Sequence, residues 1–331
     1  MKTSSPYSHP TEVMEGLPIG WCDGHVVRVK HLGWTFLFAL MFATACGGSP
    51  PSQQTFYFVE IPEDPELLAL EEQITLLEAE VSALPPGDTV RAERLLALAE
   101  AQELLIFARS EASSVSGADY SPVIATYQRL LDEHPGAPQI PRALIDSGAL
   151  LVEAGQGVVG RSRLIRVYEE YPDSPLQPTA CVLLADDAFA HEKISETQTY
   201  LECAVQSVDP VDVEYAHYMW AWVQLNQGDY RAALDAFGQV RVIGVSPDLI
   251  ATAEQDSLVA YLLMEGGAER AISDFGGRPD LLSLLLATYA EHSADGFDTL
   301  ASYLVEHFPG DERLSDWCNA ISLFDSLRSR S

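Results

Sequence analysis

Positive charge is what this sequence has least of. Nineteen Lys+Arg stand against 49 Asp+Glu over 331 residues, a formal net charge of −30. Only three lysines occur, Lys2, Lys30 and Lys193. Such a chain repels phosphate backbones and anionic headgroups alike, which excludes holding nucleic acid or a lipid surface by charge. Motifs of metal and nucleophile chemistry are missing as well. The five cysteines show no C-x-x-C, the eight histidines no H-E-x-x-H, and there is no G-x-S-x-G elbow. Carboxylates are too many to single out a pair, and a solvated face is their default. The reading is therefore a non-enzyme with no catalytic residue, no metal site and no cofactor. Strand-forming runs are nearly absent, the one short β-like run being residues 55–62. No uncharged run reaches the ~20 apolar residues that a membrane-spanning helix needs.

The longest such run, Leu32–Ala45, has fourteen residues and follows Arg28 and Lys30. A basic segment, a short apolar core and an A-x-A ending make residues 1–45 a secretory signal peptide with an unusually long leading part. The ending Ala43-Thr44-Ala45-Cys46 resembles the lipoprotein box of bacteria, although Ala43 stands where that pattern usually has Leu. The resemblance implies lipidation of Cys46 and a Gly/Ser/Pro/Gln-rich tether over 46–62. With Gly47 rather than Asp after the cysteine, it implies an outer-membrane lipoprotein facing the periplasm. The same residues suit ordinary signal peptidase, which would leave a soluble periplasmic or secreted protein. Removing 1–45 deletes Lys2, Arg28 and Lys30 together with Glu12, Glu15 and Asp23, so all of the −30 stays with the remainder.

Residues 63–115 read as a helical hairpin. Asp64-Pro65 opens a helix whose Leu67, Leu70, Ile74, Leu77, Val81 and Leu84 are spaced 3, 4, 3, 4, 3, a heptad seam. Pro85-Pro86-Gly87-Asp88 breaks it, and a second helical run follows from Val90 to about Ala112. The seam calls for a partner surface, which is either the neighbouring repeats or another copy of the chain; the oligomeric state stays open.

Beyond residue 116 the pattern repeats. Prolines that end helices recur at 135, 172, 210, 247, 279 and 309, with intervals of 37, 38, 37, 32 and 30. Between them lie two helical patterns separated by short turns at Gly155-Gln156-Gly157, His191-Glu192-Lys193, Gly228-Asp229-Tyr230, Gly266-Gly267 and Asp295-Gly296-Phe297. A helix–turn–helix unit of about 34 residues is the tetratricopeptide period. The unit around Gly228 carries the resemblance best: Ala221, the Gly228-Asp229-Tyr230 turn, Ala233 and Phe237 stand where that family has its small contact residue, its turn, a second small residue and an aromatic. The 193 unit has lost its glycine and the last two units are shortened. The resemblance covers roughly 118–310. It implies an all-α, TPR-like α-solenoid over 116–310 preceded by the hairpin, with 311–331 as a capping helix whose inner face is Leu314, Trp317, Ile321 and Phe324. The layout of tether, leading helices and array looks like bacterial outer-membrane tetratricopeptide lipoproteins of deltaproteobacterial type, some of which serve gliding-motility and envelope-assembly machines.

Two further features bear on function. Gly155-Gln156-Gly157-Val158-Val159-Gly160 matches the dinucleotide fingerprint G-x-G-x-x-G, but no strand–helix alternation surrounds it, and its glycines fall at a repeat turn. On the helix before Gly228, Tyr215, Tyr218, Trp222 and Asn226 form one stripe, with His217, Trp220, Ala221 and Gln224 opposite. In the tetratricopeptide pattern that stripe faces the groove where a partner peptide or helix lies; the alternative is packing on the neighbouring repeat. Cys181 and Cys203 fall early and late in one antiparallel helix pair, which permits a disulfide, while Cys318 beside Trp317 is placed in the core. The functional expectation is a non-catalytic, envelope-anchored scaffold that binds proteins in its groove, preferably ones bringing positive charge, and touches the membrane through its lipid alone. The alternatives are a structural coiled-coil assembly subunit and an enzyme framed by the array.

Overall fold

Seven of the fourteen described helices begin the same way, with a proline in the first turn. There its fixed φ suits the helix, and its missing N–H would have had no intrahelical acceptor anyway. The computed structural model describes residues 65–112, 118–292 and 295–328. The leader, Cys46 and the 46–62 tether lie outside these residues. Fourteen helices follow one another among the described residues: α1 Pro65–Ala83, α2 Thr89–Ala112, α3 Ser121–Glu133, α4 Ile140–Glu153, α5 Gly157–Glu170, α6 Gln177–Ala190, α7 Ile194–Ala204, α8 Pro210–Asn226, α9 Tyr230–Ile243, α10 Pro247–Leu263, α11 Gly267–Phe275, α12 Pro279–His292, α13 Phe297–His307 and α14 Leu314–Arg328. The periodic prolines divide into two groups. Pro135, Pro172 and Pro309 follow α3, α5 and α13, whereas Pro210, Pro247 and Pro279 are the first residues of α8, α10 and α12 and start helices rather than ending them.

The described residues from 73 onward form one compact unit. Within it, helices pair antiparallel as α4/α5, α6/α7, α8/α9, α10/α11 and α12/α13, and α2 packs chiefly on α3. The first helices of successive pairs also touch one another, α4 on α6, α6 on α8, α8 on α10, α10 on α12 and α12 on α14. They form one continuous layer, and the second helices are set behind it. The fold is an all-α, tetratricopeptide-like solenoid. Its core runs along the array in three overlapping clusters, and Leu77 and Val81 of the heptad seam are buried in the first of them. Arg91 of α2 holds the end of α1, donating to the Val81 and Leu84 carbonyls and pairing with Glu133 of α3 at 2.7 Å.

Small residues set how closely paired helices approach. A Cβ placed on Gly160 would lie 2.5 Å from the Gly148 carbonyl oxygen and 2.8 Å from Val152 Cγ2. The last glycine of the dinucleotide-like motif is thus a helix-crossing residue between α4 and α5. Ala221 and Ala233 play the equivalent part in α8/α9, both fully buried. In α14, Trp317 is buried and donates its indole N–H to Ser283 Oγ at 2.9 Å, but Cys318 is exposed, contrary to the core position expected from sequence. Neighbouring helix residues point about 100° apart, so one buried side chain does not bury the next.

The turns inside α4/α5, α6/α7 and α8/α9 share one geometry. The Gln156 N–H reaches the Leu151 carbonyl, Lys193 reaches Ala188 and Asp229 reaches Gln224, each five residues back. This closing bond needs a left-handed residue just before the donor. Gly155 and Gly228 supply it at φ 76° and 78°; in the third turn the residue is Glu192, at φ 58°. The same pair carries the disulfide Cys181–Cys203, linking α6 to α7 with Cα atoms 6.0 Å apart. In the next pair, Glu214 is fully buried on α8 and accepts the backbone N–H groups of Val245 (2.8 Å) and Ser246 (3.0 Å), fixing the connection between α9 and α10.

Glu192→Gly removes a side chain from a left-handed position and is expected to raise stability by about 1 kcal/mol, read as a higher unfolding midpoint. Closing 22 residues restricts the unfolded chain by about 3 kcal/mol in the loop-entropy treatment. Cys181→Ala with Cys203→Ala is therefore expected to lower stability by about that amount in denaturant titration, and adding reductant to the parent should reproduce most of the loss.

Candidate partner-binding face

The aromatic stripe expected on α8 is a single structural unit that reaches both neighbouring first helices. Tyr215, Tyr218 and Trp222 are half-buried and Asn226 is exposed. The Tyr215 hydroxyl donates to Asp186 Oδ1 of α6 at 3.0 Å, and the Tyr218 hydroxyl to Asp256 Oδ2 of α10 at 2.7 Å. The two tyrosine rings lie 6.1 Å apart, and Trp222 meets Phe237 of α9 edge-on at 6.3 Å. Asn226 turns back on its own helix, Nδ2 donating to the Trp222 carbonyl at 2.8 Å. The three rings are thus held by hydroxyl and ring-edge contacts while keeping part of their surface open. In the opposite stripe Ala221 is fully buried, while His217, Trp220 and Gln224 are half-buried, Trp220 packing between two core clusters; the ring contacts to α9 come instead from Tyr218 and Trp222 against Phe237.

Asp186 and Asp256 belong to this face and were not singled out in the sequence. The signal that locates them is the repeat register, since Asp186 stands one repeat before Trp222 and Asp256 one repeat after Tyr218. Burial pushes the Asp186 carboxyl above the ordinary range, opposed by the Tyr215 hydrogen bond and assisted by the neighbouring charge of Asp187. Asp256 is raised for the same first reason, against the hydrogen bond from Tyr218. Tyr215 is itself pushed up, by burial and then by the Asp186 charge, so its hydroxyl stays protonated and donating.

Other carboxylates near the first-helix layer are compensated within the chain. Asp146 of α4 pairs with Arg142 at 2.5 Å and accepts from the buried Tyr127 at 3.4 Å. Arg161 joins Asp187 and Glu196, and Arg270 meets Asp274 at 2.6 Å. Arg278 bridges Glu254 and Asp280. Among the described residues no group of three or more His, Cys, Asp or Glu is arranged to hold a metal ion, and no helix is long and apolar enough to cross a membrane.

A carboxyl whose folded pKa is raised binds its proton more readily in the folded chain than in the unfolded one. Its contribution to stability is full below the unfolded pKa and is lost as pH rises through the folded value. Ionised at neutral pH, Asp186 and Asp256 therefore work against folding. The double variant Asp186→Asn, Asp256→Asn keeps an acceptor for each tyrosine and should unfold at a higher temperature than the parent at pH 7. The difference should shrink as the pH falls through the raised folded values toward the ordinary aspartate value of about 3.9. Thermal unfolding across that range checks it; a lower midpoint for the variant at neutral pH contradicts it.

Residues 215–242, which hold the aromatic stripe and nearly all of α9, match the tetratricopeptide repeat family. No curated protein matches the chain. Among solved structures it is similar to the C-terminal part of a TPR repeat-containing protein from Cytophaga hutchinsonii, with 13% identity and a TM-score of 0.47, over 75% of this chain and 94% of that one. It is also similar to the Cut9–Hcn1 hetero-tetramer of the APC/C, with 12% identity and a TM-score of 0.41, over 76% of this chain and 47% of that one. A third likeness is to a signal transduction ATPase with numerous domains, carrying a tetratricopeptide repeat sensor, from Pyrococcus horikoshii; here identity is 18% and the TM-score 0.35, over 82% of this chain and 42% of that one. The matched repeat and the layout of helix pairs around it make this chain a tetratricopeptide-repeat-containing α-solenoid.

Proposed function

We propose that this protein is a non-catalytic scaffold, anchored at the bacterial envelope, that holds protein partners against the first-helix face of its array. Tetratricopeptide repeats generally mediate protein–protein interaction, and the matched repeat here is the one that carries the open aromatic stripe. That stripe is the observation that carries the reading. Tyr215, Tyr218 and Trp222 are held in place by neighbouring repeats and still expose ring surface, and preorganised aromatics of this kind act as anchors in protein interfaces.

In this reading residues 1–45 are removed, Cys46 carries the lipid and 46–62 tether an array ending in the α14 cap. The partner is a peptide or helix laid along the face, in an envelope-assembly or motility complex. One observation favours an exported protein, and another bears on its attachment. The Cys181–Cys203 bond suits an oxidising compartment. The net charge of −30 would drive the chain away from anionic headgroups, so attachment to the membrane falls to the lipid rather than to the surface.

Trp222→Ala is expected to reduce capture of partners from detergent-solubilised membranes at least tenfold, read by quantitative mass spectrometry of the bound fraction. Helical content of the variant, followed by circular dichroism at the assay temperature, should stay that of the parent. Undiminished capture by a folded variant would place the binding face elsewhere on the array.

A further inference from the structure

Resting on the scaffold reading, the structure assigns a chemical preference to the face: between α6, α8 and α10, the carboxylates of Asp186 and Asp256 and the rings of Tyr215, Tyr218 and Trp222 form a subsite for an arginine side chain of the partner.

At Asp146, Asp187, Asp274 and Glu254, half-buried or buried acids on or near the first-helix layer, an arginine of the chain meets the carboxylate, while the half-buried Asp212 of α8 accepts from the Thr179 and Ser207 hydroxyls away from the stripe. The fully buried Glu214 instead takes two backbone N–H groups. Asp186 and Asp256 have neither kind of compensation. Their partners are neutral donors, the Tyr215 hydroxyl for one and the Tyr218 hydroxyl for the other. No Lys, Arg or His among the described residues lies within ion-pair distance of either. Both are half-buried, so each negative charge is partly stripped of water and still reachable from solvent.

The rings between the two acids fix the class of cation. A guanidinium can stack its flat face on tyrosine or tryptophan while its edge N–H groups reach a carboxylate, whereas a compact, strongly hydrated ammonium does the first poorly. The chain already uses this pairing internally, with Arg161 over Tyr200, Arg241 over Phe275 and Arg313 over Trp317. An incoming arginine would find the tyrosine hydroxyls already committed to the carboxylates, which holds both rings and both acids in place before it arrives.

The test uses the full chain and two capped peptides, one with paired arginines and the other with citrulline, an uncharged isostere, at each arginine position. Binding is measured by calorimetry at physiological salt, about 0.15 M. The parent should bind the arginine peptide at least tenfold more tightly than the citrulline peptide. Asp186→Asn with Asp256→Asn should abolish that preference. The control Asp173→Asn with Glu265→Gln, which removes the same charge from exposed positions, should change it less than twofold. Equal losses in the two double variants would reduce the effect to bulk charge and overturn the subsite, as would equal binding of the two peptides. The membrane capture assay separates this from the scaffold reading. If Trp222→Ala loses the partner and the Asp186/Asp256 pair does not, the face stands and the arginine subsite falls; if neither variant loses it, the partner binds elsewhere on the array and the subsite falls with the α8 face.

Discussion

Close approach of paired helices is the constraint on which everything else in this molecule rests. No pair can bury its apolar face alone, so each must present a flat, well-fitted surface to the next. That surface exists only where small residues sit at the crossing, as Gly160 does against Gly148 and as Ala221 and Ala233 do one pair further on. Once the crossings are set, Leu184, Leu201, Val223 and Val240 are wholly excluded from water, each worth roughly 1.5–3 kcal/mol. The layer of first helices then follows as a consequence, and with it a face on which residues of three different repeats come together.

The α6/α7 pair shows how this constraint tolerates a local fault. Its turn keeps the five-residue closing bond but holds Glu192 in the left-handed conformation that glycine fills elsewhere. The same pair carries the one disulfide among the described residues, which restricts the unfolded chain and so offsets the strained turn. Glu214 serves the next junction by another route, spending a buried carboxylate on two backbone donors to fix the step from α9 to α10. Array geometry is thus kept by a glycine, a covalent bond or a buried charge, depending on the repeat.

Charge is organised by the same geometry. With 19 basic side chains for 49 acidic ones, most carboxylates must remain solvated, and the scarce arginines are placed where acids become partly buried. Against that habit, the acids on either side of the α8 stripe stand out, because burial raises them and neutral hydroxyls are what they receive. Such an arrangement costs the free protein stability and leaves attraction for a cation that arrives from outside.

Much of this was legible in the residues. Helical periodicity, the Gly228-Asp229-Tyr230 turn, the small residues around it and the spacing of the stripe are local patterns, and local patterns fix helices, turns and which side chains share a face. The sequence by itself also determined the net charge and the absence of motifs for metal or nucleophile chemistry. What it could not settle depends on contacts between repeats. Prolines that looked like helix ends proved to be helix starts at 210, 247 and 279, and Cys318 turned outward beside a buried tryptophan. Above all, Asp186 and Asp256 lie a full repeat away from the rings they meet. Only the stacking of one helix layer brings them together, because a solenoid places equivalent positions of successive repeats side by side however far apart they are along the chain.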